Sequence, residues 1–287
     1  MKFLILGGSG LLGSSLAPFL VKCGHEVKVY SRTPGFDYCF ELDKVELLTS
    51  MIHDFMPTVV VNLVALTNVD LCQERIDLAY NAHVKCLENL VKVTNKLPSK
   101  YHLIHISTDQ VYSGIGPHSE ESVTPLNTYA LTKYTSEIIL SHLANPVAIL
   151  RTNFFGKSSC SNRSSFTDWV YSNLSQNVQI NGFSDLLFSP IHISTLCSYI
   201  DLIASLQLDG IFNVGSANSI SKGHFIKRFA DSTSLNNSLV RLCSASDFDF
   251  KAERPLDMRM NCQRFEKYVG NLPSIESQIE LAAQEYL

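Results

Sequence analysis

Residues 3–13 read Phe-Leu-Ile-Leu-Gly-Gly-Ser-Gly-Leu-Leu-Gly and join a short apolar segment to one with helical periodicity. Three spaced glycines mark the junction: Gly7, Gly10 and Gly13. Such glycines allow a tight turn, close approach of the backbone to a pyrophosphate, and close packing of a helix against a strand. Backbone N–H groups at the helix start, here at Leu11 and Leu12, attract negative charge. The stretch therefore predicts a dinucleotide-binding loop.

The segments that follow alternate between strand-like and helix-like patterns. Continuous apolar strands such as Val59-Val60-Val61 are typical of a parallel sheet covered on both faces. The predicted strands are Lys2–Leu6, Glu26–Tyr30, Thr58–Val64, His102–Ser107 and Val147–Arg151. The predicted helices are Leu11–Cys23, Asp70–Lys96 (stopped by Pro98) and Thr128–Leu143. We therefore expect an α/β protein with a Rossmann-type, doubly wound parallel sheet.

The pattern changes after Arg151. Residues 157–165 are polar and rich in serine, which predicts an exposed loop. The later predicted elements are Ser194–Leu206, Gly210–Val214, Ser221–Ser232 and Leu239–Leu242. We expect a dinucleotide-binding domain over residues 1–155. Residues 156–287 should form mainly a smaller C-terminal α/β substrate lobe, from which some segments, such as Ser189–Ser205, return to the first domain.

Composition narrows the class of protein. The 287 residues are 45% hydrophobic and 17% charged, which is enough for a sizeable core, and the net charge of −4 argues against nucleic acid as a partner. Glycines interrupt the apolar N-terminal run, and elsewhere no run approaches the ~20 apolar residues of a membrane span, so we expect no secretory signal and no membrane partner. The eight cysteines are scattered without a Cys-x-x-Cys pair, which predicts a reducing, cytoplasmic location and no metal site.

Two further segments bear on the cofactor. An NAD-specific site usually has an acidic residue at the end of the second strand, but here Ser31 and Arg32 stand there and are suited to a 2′-phosphate. We therefore expect NADP(H) as the preferred cofactor, with NAD(H) as the alternative. The end of the strand around residue 62 should meet the middle of the cofactor through the backbone of Leu63, Val64 and Ala65.

The expected catalytic pair is Tyr129 and Lys133. Four residues apart on a helix, they share a face, and Tyr129 is the only tyrosine with a lysine four positions later. A nearby ammonium favours the phenolate, which makes the tyrosine a usable proton donor or acceptor. Thr108 and Asp109 follow a predicted strand at the end where ligands of parallel sheets bind; Thr108 can donate to a substrate carbonyl and Asp109 can accept from a sugar hydroxyl. Asn81, in the long predicted helix, is a candidate for holding backbone or water.

These motifs together resemble those of the extended short-chain dehydrogenase/reductases and, within them, the dTDP-4-dehydrorhamnose reductase family. The resemblance runs from Lys2 to about Asn261 in separate blocks. The blocks are Gly7–Gly13, Asn62–Asp70, Ser107-Thr108-Asp109 with Val111-Tyr112, Pro125-Leu126-Asn127, Tyr129–Lys133, Leu150-Arg151-Thr152, Ser189-Pro190 and Arg254-Pro255.

The resemblance implies NADPH-dependent reduction of the 4-keto group of a nucleotide-linked, dTDP-type 4-keto-6-deoxy sugar. It assigns the proton to Tyr129, the tuning of Tyr129 and the hold on the nicotinamide ribose to Lys133, and polarisation of the ketone to Thr108. It places Asn153 and Phe154 at the sugar. Phe155, Ser189 and Arg254 are candidates for the nucleotide diphosphate, and a guanidinium such as Arg254 suits phosphate best. We also expect a homodimer.

This sequence departs from the family at some positions. Leu63-Val64-Ala65 replaces an alanine-rich segment, Ser158–Ser165 has no counterpart, and Ser189-Pro190 matches only part of a motif. These departures leave the sugar and the base open. An epimerase that retains its NAD(H), another extended short-chain reductase and a non-catalytic dinucleotide-binding regulatory subunit remain as alternatives. A dehydratase is disfavoured, because Gln110 follows Asp109 where a glutamate is expected.

Overall fold

The computed structural model describes residues 1–97, 100–160 and 163–287. Pro98, the expected stop of the long helix, lies outside the described residues, as do residues 161 and 162 of the predicted polar loop. The rest of that loop has no regular secondary structure.

Strands occur along most of the chain. In chain order they are β1 (Lys2–Leu6), β2 (Glu26–Tyr30), β3 (Val59–Asn62), β4 (His102–Thr108), β5 (Val147–Thr152), β6 (Phe154–Phe155), β7 (Ile180–Phe183), β8 (Leu187–Phe188), β9 (Ile191–His192), β10 (Gly210–Val214), β11 (Ile220–Ser221), β12 (Val240–Cys243) and β13 (Asp257–Met258).

Helices connect most of these strands. They are α1 (Leu11–Lys22), α2 (Val45–Phe55), α3 (Val69–Glu74), α4 (Ile76–Tyr80), α5 (Cys86–Thr94), α6 (Thr128–Leu140), α7 (Phe166–Ser175), α8 (Ile193–Leu206), α9 (Lys222–Ser232), α10 (Gln263–Val269) and α11 (Ile275–Ala283). A π-helical turn, Asn81–Lys85, separates α4 from α5.

The main sheet has six strands in the order β10-β5-β4-β3-β1-β2. The pairs β1–β2, β1–β3 and β3–β4 are parallel, with Phe3 opposite both Val27 and Val59. The predicted α/β fold with a Rossmann-type parallel sheet is therefore confirmed. Because β1 lies between β2 and β3, the strand order reverses there, and the carboxyl ends of β1 and β3 form the crevice where such sheets bind ligands.

The chain divides into two compact units whose segments interleave along the sequence. The first unit comprises Met1–Ser107, Asn127–Leu150 and Cys197–Ile211. One of its cores packs side chains of β1, β3 and β4 against α2 and α5, with Leu4, Val60 and Leu103 fully buried. The expected boundary after residue 155 stays a prediction.

The second unit comprises Thr108–Leu126, Arg151–Leu196 and Phe212–Leu287. It contains a three-stranded sheet, β11-β8-β13, and the parallel pairs β12–β7 and β6–β9. Phe225 and Phe229 of α9 are fully buried at the centre of its core, which α7 and α11 help to form.

One predicted element is wrong. The single helix expected over Asp70–Lys96 is instead α3, α4, the π-helical turn and α5. Arg75 interrupts it with a non-helical backbone (φ −127°, ψ 72°), and its guanidinium pairs with Asp77 at 2.7 Å. The strand expected over Thr58–Val64 is shorter, since pairing ends at Asn62. The other predicted strands and helices match the observed ones to within a few residues at their ends.

No helix in the described parts of the chain combines the length and apolarity needed to span a membrane.

Candidate active site

The glycine loop closes the crevice at the end of β1. The N–H groups of Gly7 and Gly8 both donate to Tyr30 O at 3.0 Å, and Gly7 has a positive φ of 95°, which a side chain would strain. A Cβ on Gly7 would lie 3.1 Å from the backbone of Leu63 and Val64. One on Gly13 would lie 2.6 Å from the Cα of Gly8. The loop, the start of α1 and the end of β3 are therefore in close backbone contact.

Gly8 is a residue that the spaced motif does not include. A Cβ there would lie 1.9 Å from Cγ1 of Val29 on the neighbouring strand. The glycine at position 8 is thus required by packing against β2, and the doublet Gly7-Gly8 is the only sequence signal for it. Gly10 is different: its Cβ would meet only the carbonyl oxygen of Gly7, at 3.3 Å.

The carboxyl end of β2 carries the two residues expected to select the cofactor. Ser31 is 1% exposed; its hydroxyl donates to Ser9 Oγ at 2.7 Å and accepts from the Thr33 N–H at 3.0 Å. Arg32 is exposed. Asp37, in the segment after β2, accepts from Lys28 Nζ at 2.7 Å and from the Val29 N–H at 2.9 Å. The end of β2 therefore presents a solvent-facing guanidinium and a hydroxyl turned toward the glycine loop.

Tyr129 and Lys133 lie one turn apart on α6, as predicted. The helix begins after Asn127, whose Oδ1 accepts the Ala130 N–H at 2.9 Å. The Tyr129 ring packs among Leu66, Val69, Cys72 and Ala79 and is 8% exposed. Tyr129 is therefore a buried member of an apolar cluster, with a small part of the side chain accessible.

Lys133 is almost wholly buried, at 2% exposure. Its Nζ donates to Ile106 O at 2.7 Å and lies 3.3 Å from His105 Nε2. Burial lowers the pKa of Lys133 to about 8. A lysine with this pKa changes its charge within the working pH range of most enzymes.

A buried Asn–His pair lies behind the lysine. The Val64 N–H donates to Asn62 Oδ1 (3.2 Å), so the amide NH₂ of Asn62 is turned toward His105 Nδ1 (3.0 Å). Nδ1 must then accept, and Nε2 carries the proton, which it donates to Ser136 Oγ at 3.1 Å. Burial and the Lys133 charge hold the pKa of His105 well below its usual range. The pair fixes a neutral ring beside Lys133.

His83 is a second buried histidine that the sequence analysis did not select. Its Nε2 lies 3.0 Å from the Leu66 N–H, and its ring meets the Tyr129 ring edge-on with centroids 5.5 Å apart. Asn81, the candidate on this segment for holding backbone, is exposed. No pattern in the sequence separates His83 from the other histidines.

The remaining predicted residues lie in the second unit. Thr108, 5% exposed, accepts the Gln110 N–H at 3.2 Å and donates to Asp109 Oδ1 at 3.3 Å. Asp109 is 1% exposed, and its Oδ2 accepts from Asn153 Nδ2 at 2.9 Å. Burial raises the pKa of Asp109 to about 6, although the Asn153 hydrogen bond and the Lys222 charge oppose this. The structure thus brings together Thr108, Asp109 and Asn153.

The second unit, which contains Thr108, Asp109 and Asn153, also has two cations that lie over aromatic rings. The Lys222 amine lies over the Phe188 ring (5.9 Å), and the Arg254 guanidinium lies over the Phe250 ring (4.8 Å). The sequence did not single out Lys222, because this basic residue follows Ser221 without any recognisable motif around it. Arg254 and Phe154 are half-buried, which leaves part of each side chain accessible.

Two of the predicted diphosphate residues have structural contacts. Ser189 is 2% exposed, and its hydroxyl accepts the Met260 N–H at 3.3 Å. Phe155 is also 2% exposed and packs edge-on against Phe225, with ring centroids 4.7 Å apart. Their binding roles stay predictions.

Comparison with known proteins gives a family model and several relatives. The model, described as the RmlD substrate binding domain, matches residues 1–287. The probable low-salt glycan biosynthesis reductase Agl14 of Haloferax volcanii is 24% identical over 99% of this chain and 97% of that protein. The dTDP-4-dehydrorhamnose reductase of Aggregatibacter actinomycetemcomitans is 26% identical over 95% of each. Methionine adenosyltransferase 2 subunit beta of Rattus norvegicus is 28% identical over 92% of this chain and 81% of that protein.

A solved structure agrees with the fold. The dTDP-4-dehydrorhamnose reductase of Bacillus anthracis str. Ames, in complex with NADP, aligns with a TM-score of 0.88 over 99% of both chains. The two sequences are 23% identical.

Proposed function

Because this chain belongs to the RmlD substrate binding domain family, we propose that it reduces the 4-keto group of a nucleotide-linked, dTDP-type 4-keto-6-deoxy sugar with NADPH. The observation that carries the proposal is the pair on α6: Tyr129 is 8% exposed, and Lys133 is buried one turn away at 2%. A binding module needs neither a phenol nor a buried lysine there. The names of the curated reductase relatives support the same reaction.

The glycine loop is suited to a dinucleotide. At Gly7, Gly8 and Gly13 a Cβ would meet neighbouring protein atoms at close range, so the loop packs tightly, and α1 begins within it at Leu11. Backbone N–H groups at that helix start, at Leu11 and Leu12, would hold the pyrophosphate. Leu63, Val64 and Ala65 would meet the middle of the cofactor, because the end of β3 lies against Gly7.

In the proposed reaction, bound NADPH supplies the hydride that reduces the carbonyl carbon C4. Tyr129 gives its phenolic proton to the carbonyl oxygen, so the ketone becomes an alcohol, and solvent restores the proton. Lys133 stabilises the phenolate that forms and holds the ribose next to the nicotinamide. Thr108 donates a hydrogen bond to the same oxygen. The sugar is bound by Asp109, Asn153 and Phe154. Arg254, helped by Ser189, binds the nucleotide diphosphate.

We infer NADP(H) as the preferred cofactor, with NAD(H) as the alternative. Arg32 is exposed where a 2′-phosphate would lie, and the carboxylate of Asp37, in the segment after β2, is paired with Lys28. The NADP complex of the Bacillus anthracis reductase supports this choice.

A cytoplasmic location and a homodimer complete the proposal. All eight cysteines are free thiols, which agrees with a reducing compartment. On α6, Leu131 and Ile138 are 54% and 49% exposed, two turns apart, which favours a protein contact there. Light scattering on the purified chain distinguishes a dimer from a monomer.

The test of the reaction is NADPH oxidation followed by absorbance, with a panel of nucleotide-linked 4-keto sugars and with NADH in parallel. Consumption that depends on the dTDP-linked 4-keto-6-deoxy sugar supports the proposal. Dinucleotide binding without consumption for any sugar contradicts it.

A second candidate function is a non-catalytic, dinucleotide-binding regulatory subunit. The similarity to methionine adenosyltransferase 2 subunit beta favours it. Such a subunit would bind NADPH without turnover and would alter the activity of a partner enzyme when the two are mixed. The presence of Thr108, Tyr129 and Lys133 favours the reductase.

A further inference from the structure

The π-helical turn Asn81–Lys85 places one side chain in an unusual position. Such turns insert an extra residue into a helix and often occur at functional sites. Here the turn points His83 inward, to 1% exposure, while Asn81 is exposed. The turn thus brings an imidazole into the interior of the first unit.

The hydrogen-bond partners of His83 fix which ring nitrogen accepts and which donates. Its Nε2 lies 3.0 Å from the Leu66 N–H, and a backbone N–H can only donate, so Nε2 accepts. A neutral ring then carries its proton on Nδ1, which donates to Thr132 Oγ1 at 2.8 Å. The Thr132 hydroxyl in turn donates to Thr128 O at 2.7 Å. The ring therefore connects the segment after β3 to the first turns of α6.

His83 does not exchange protons at working pH. Burial, followed by the nearby charge of Lys133, lowers its pKa to about 3, and the Leu66 contact opposes this only in part. The titratable and charged groups around the ring are thus Lys133 and, in edge-on contact, Tyr129. The neutral ring favours a role in holding neighbours over one in carrying charge.

The neighbour that the ring holds is Tyr129. The His83 and Tyr129 rings meet at 79°, with centroids 5.5 Å apart. Cys72 belongs to the same apolar cluster as Tyr129, Leu66 packs against that cluster, and Cys72 Sγ donates to Leu66 O at 3.3 Å. The Leu66 peptide is thus held at its N–H by His83 and at its carbonyl by Cys72, beside the cluster that contains Tyr129.

We propose that His83 is a positioning residue: its imidazole connects Leu66 to α6 and thereby fixes the place of the Tyr129 phenol relative to Lys133 and to the dinucleotide. This inference rests on the proposed function. The simpler account is a core histidine whose hydrogen bonds only stabilise the fold. The two accounts differ in whether loss of the ring nitrogens changes catalysis or only stability.

The experiment compares His83→Phe, which keeps a ring against Tyr129 but removes both nitrogens, with His102→Phe. His102 is a matched control: it is 4% exposed, lies in the same unit, and bonds through Nε2 to Leu208 O at 2.8 Å. Since small displacements of a reacting group are costly, we expect His83→Phe to lower kcat about tenfold or more while the sugar KM changes less than about threefold. His102→Phe should keep kcat within about twofold even where its melting temperature falls.

Thr132 provides a second test if His83→Phe does not fold. Thr132→Ser keeps the hydroxyl that accepts from His83 and should keep kcat within about twofold, whereas Thr132→Val should lower it about fivefold. Loss in both Thr132 variants, or in neither, contradicts the inference. So does a His83→Phe protein with a lower melting temperature and an unchanged kcat.

Carbon NMR of ¹³C-labelled tyrosine gives a readout that needs no turnover. The Tyr129 ring signal, assigned by its absence in Tyr129→Phe, should shift or broaden in His83→Phe and remain unchanged in His102→Phe. If the wild type reduces no sugar, the proposed function fails, and this signal still decides the role of His83. An unchanged Tyr129 signal in His83→Phe overturns the inference.

Discussion

Lys133 shows how burial sets the chemistry of a single residue. Its amine donates to the Ile106 carbonyl, and the side chain is 2% exposed. Removing a cation from water disfavours its charged form, so the pKa falls from the usual 10.5 to about 8. The ammonium therefore predominates below about pH 8 and the neutral amine above it.

We predict that kcat falls as the pH rises through about 8, because the neutral amine no longer stabilises the Tyr129 phenolate. The measurement is a pH–rate profile at saturating NADPH and sugar. Melting temperatures over the same range are the control, since they separate loss of charge from unfolding. A kcat that stays constant to about pH 10 would remove Lys133 from the proposed role.

Arg32 bears on cofactor choice. We predict that Arg32→Ala weakens NADPH binding about tenfold and NADH binding much less, because only NADPH has a phosphate for the guanidinium to pair with. Fluorescence titration with each dinucleotide measures the two constants. Arg75→Ala is the matched control: Arg75 is an exposed arginine of the same unit, paired with Asp77. If Arg32→Ala weakened the binding of NADPH and NADH equally, Arg32 would not explain a preference for NADP.

Some residues of the candidate site could be identified from the sequence, and others could not. Gly7, Gly13, Tyr129 and Lys133 were predictable, because each stands in a motif whose spacing follows from local geometry. Gly8 and His83 were not, because their roles depend on what they contact. Gly8 faces Val29 of the next strand, and His83 receives the N–H of Leu66, which is 17 residues away along the chain.

Among the elements, α6 bears most directly on the proposed reaction, since it carries both Tyr129 and Lys133, the proposed catalytic pair. Its first turn is fixed by Asn127, which accepts the Ala130 N–H, and by Thr128, which binds Gln73 Oε1 through its N–H and its hydroxyl. An N-cap of this kind contributes about 1 kcal/mol to stability.

We predict that Asn127→Ala lowers the free energy of unfolding by about 1 kcal/mol and also lowers kcat about threefold or more, because the cap positions the turn that carries Tyr129. Denaturant unfolding and steady-state kinetics measure the two effects. Ser274→Ala removes a similar cap, at the start of α11, where Ser274 accepts the Ser277 N–H at 3.2 Å. It should lower stability by a similar amount without changing kcat. If the two variants lose kcat equally, the cap of α6 has no special role.

The region from Val69 to Thr94 shows where element prediction fails. Its apolar periodicity predicts one helix, and helical backbone does occupy most of it. The interruption at Arg75 and the π-helical turn at Asn81–Lys85 depend on tertiary contacts: the inserted residue is tolerated because it brings His83 to Leu66 and Thr132. Periodicity over one segment contains no information about such partners.

For the molecule as a whole, the parallel sheet was predictable and the division of the chain was less so. Apolar strands alternating with helices lead to one class of sheet. The segments of the two units interleave: Cys197–Ile211 belongs to the first unit, and Thr108–Leu126 to the second. A later segment joins an earlier unit through contacts between residues far apart in the sequence, such as His25 with Asp201 at 2.9 Å. Local sequence patterns do not reveal such contacts.

The proposed reaction moves a hydride to C4 of a nucleotide-linked 4-keto sugar, and Tyr129 supplies the proton. The most direct measurement uses NADPH carrying deuterium at the transferable position and follows the released sugar nucleotide by NMR, for the wild type, for Tyr129→Phe and for the control Tyr134→Phe on the same helix. We expect deuterium at C4 with the wild type and with Tyr134→Phe. With Tyr129→Phe we expect a rate lower by about a hundredfold or more but undiminished NADPH binding. Sugar without deuterium, or label transfer that persists at the wild-type rate in Tyr129→Phe, would contradict the proposed reaction.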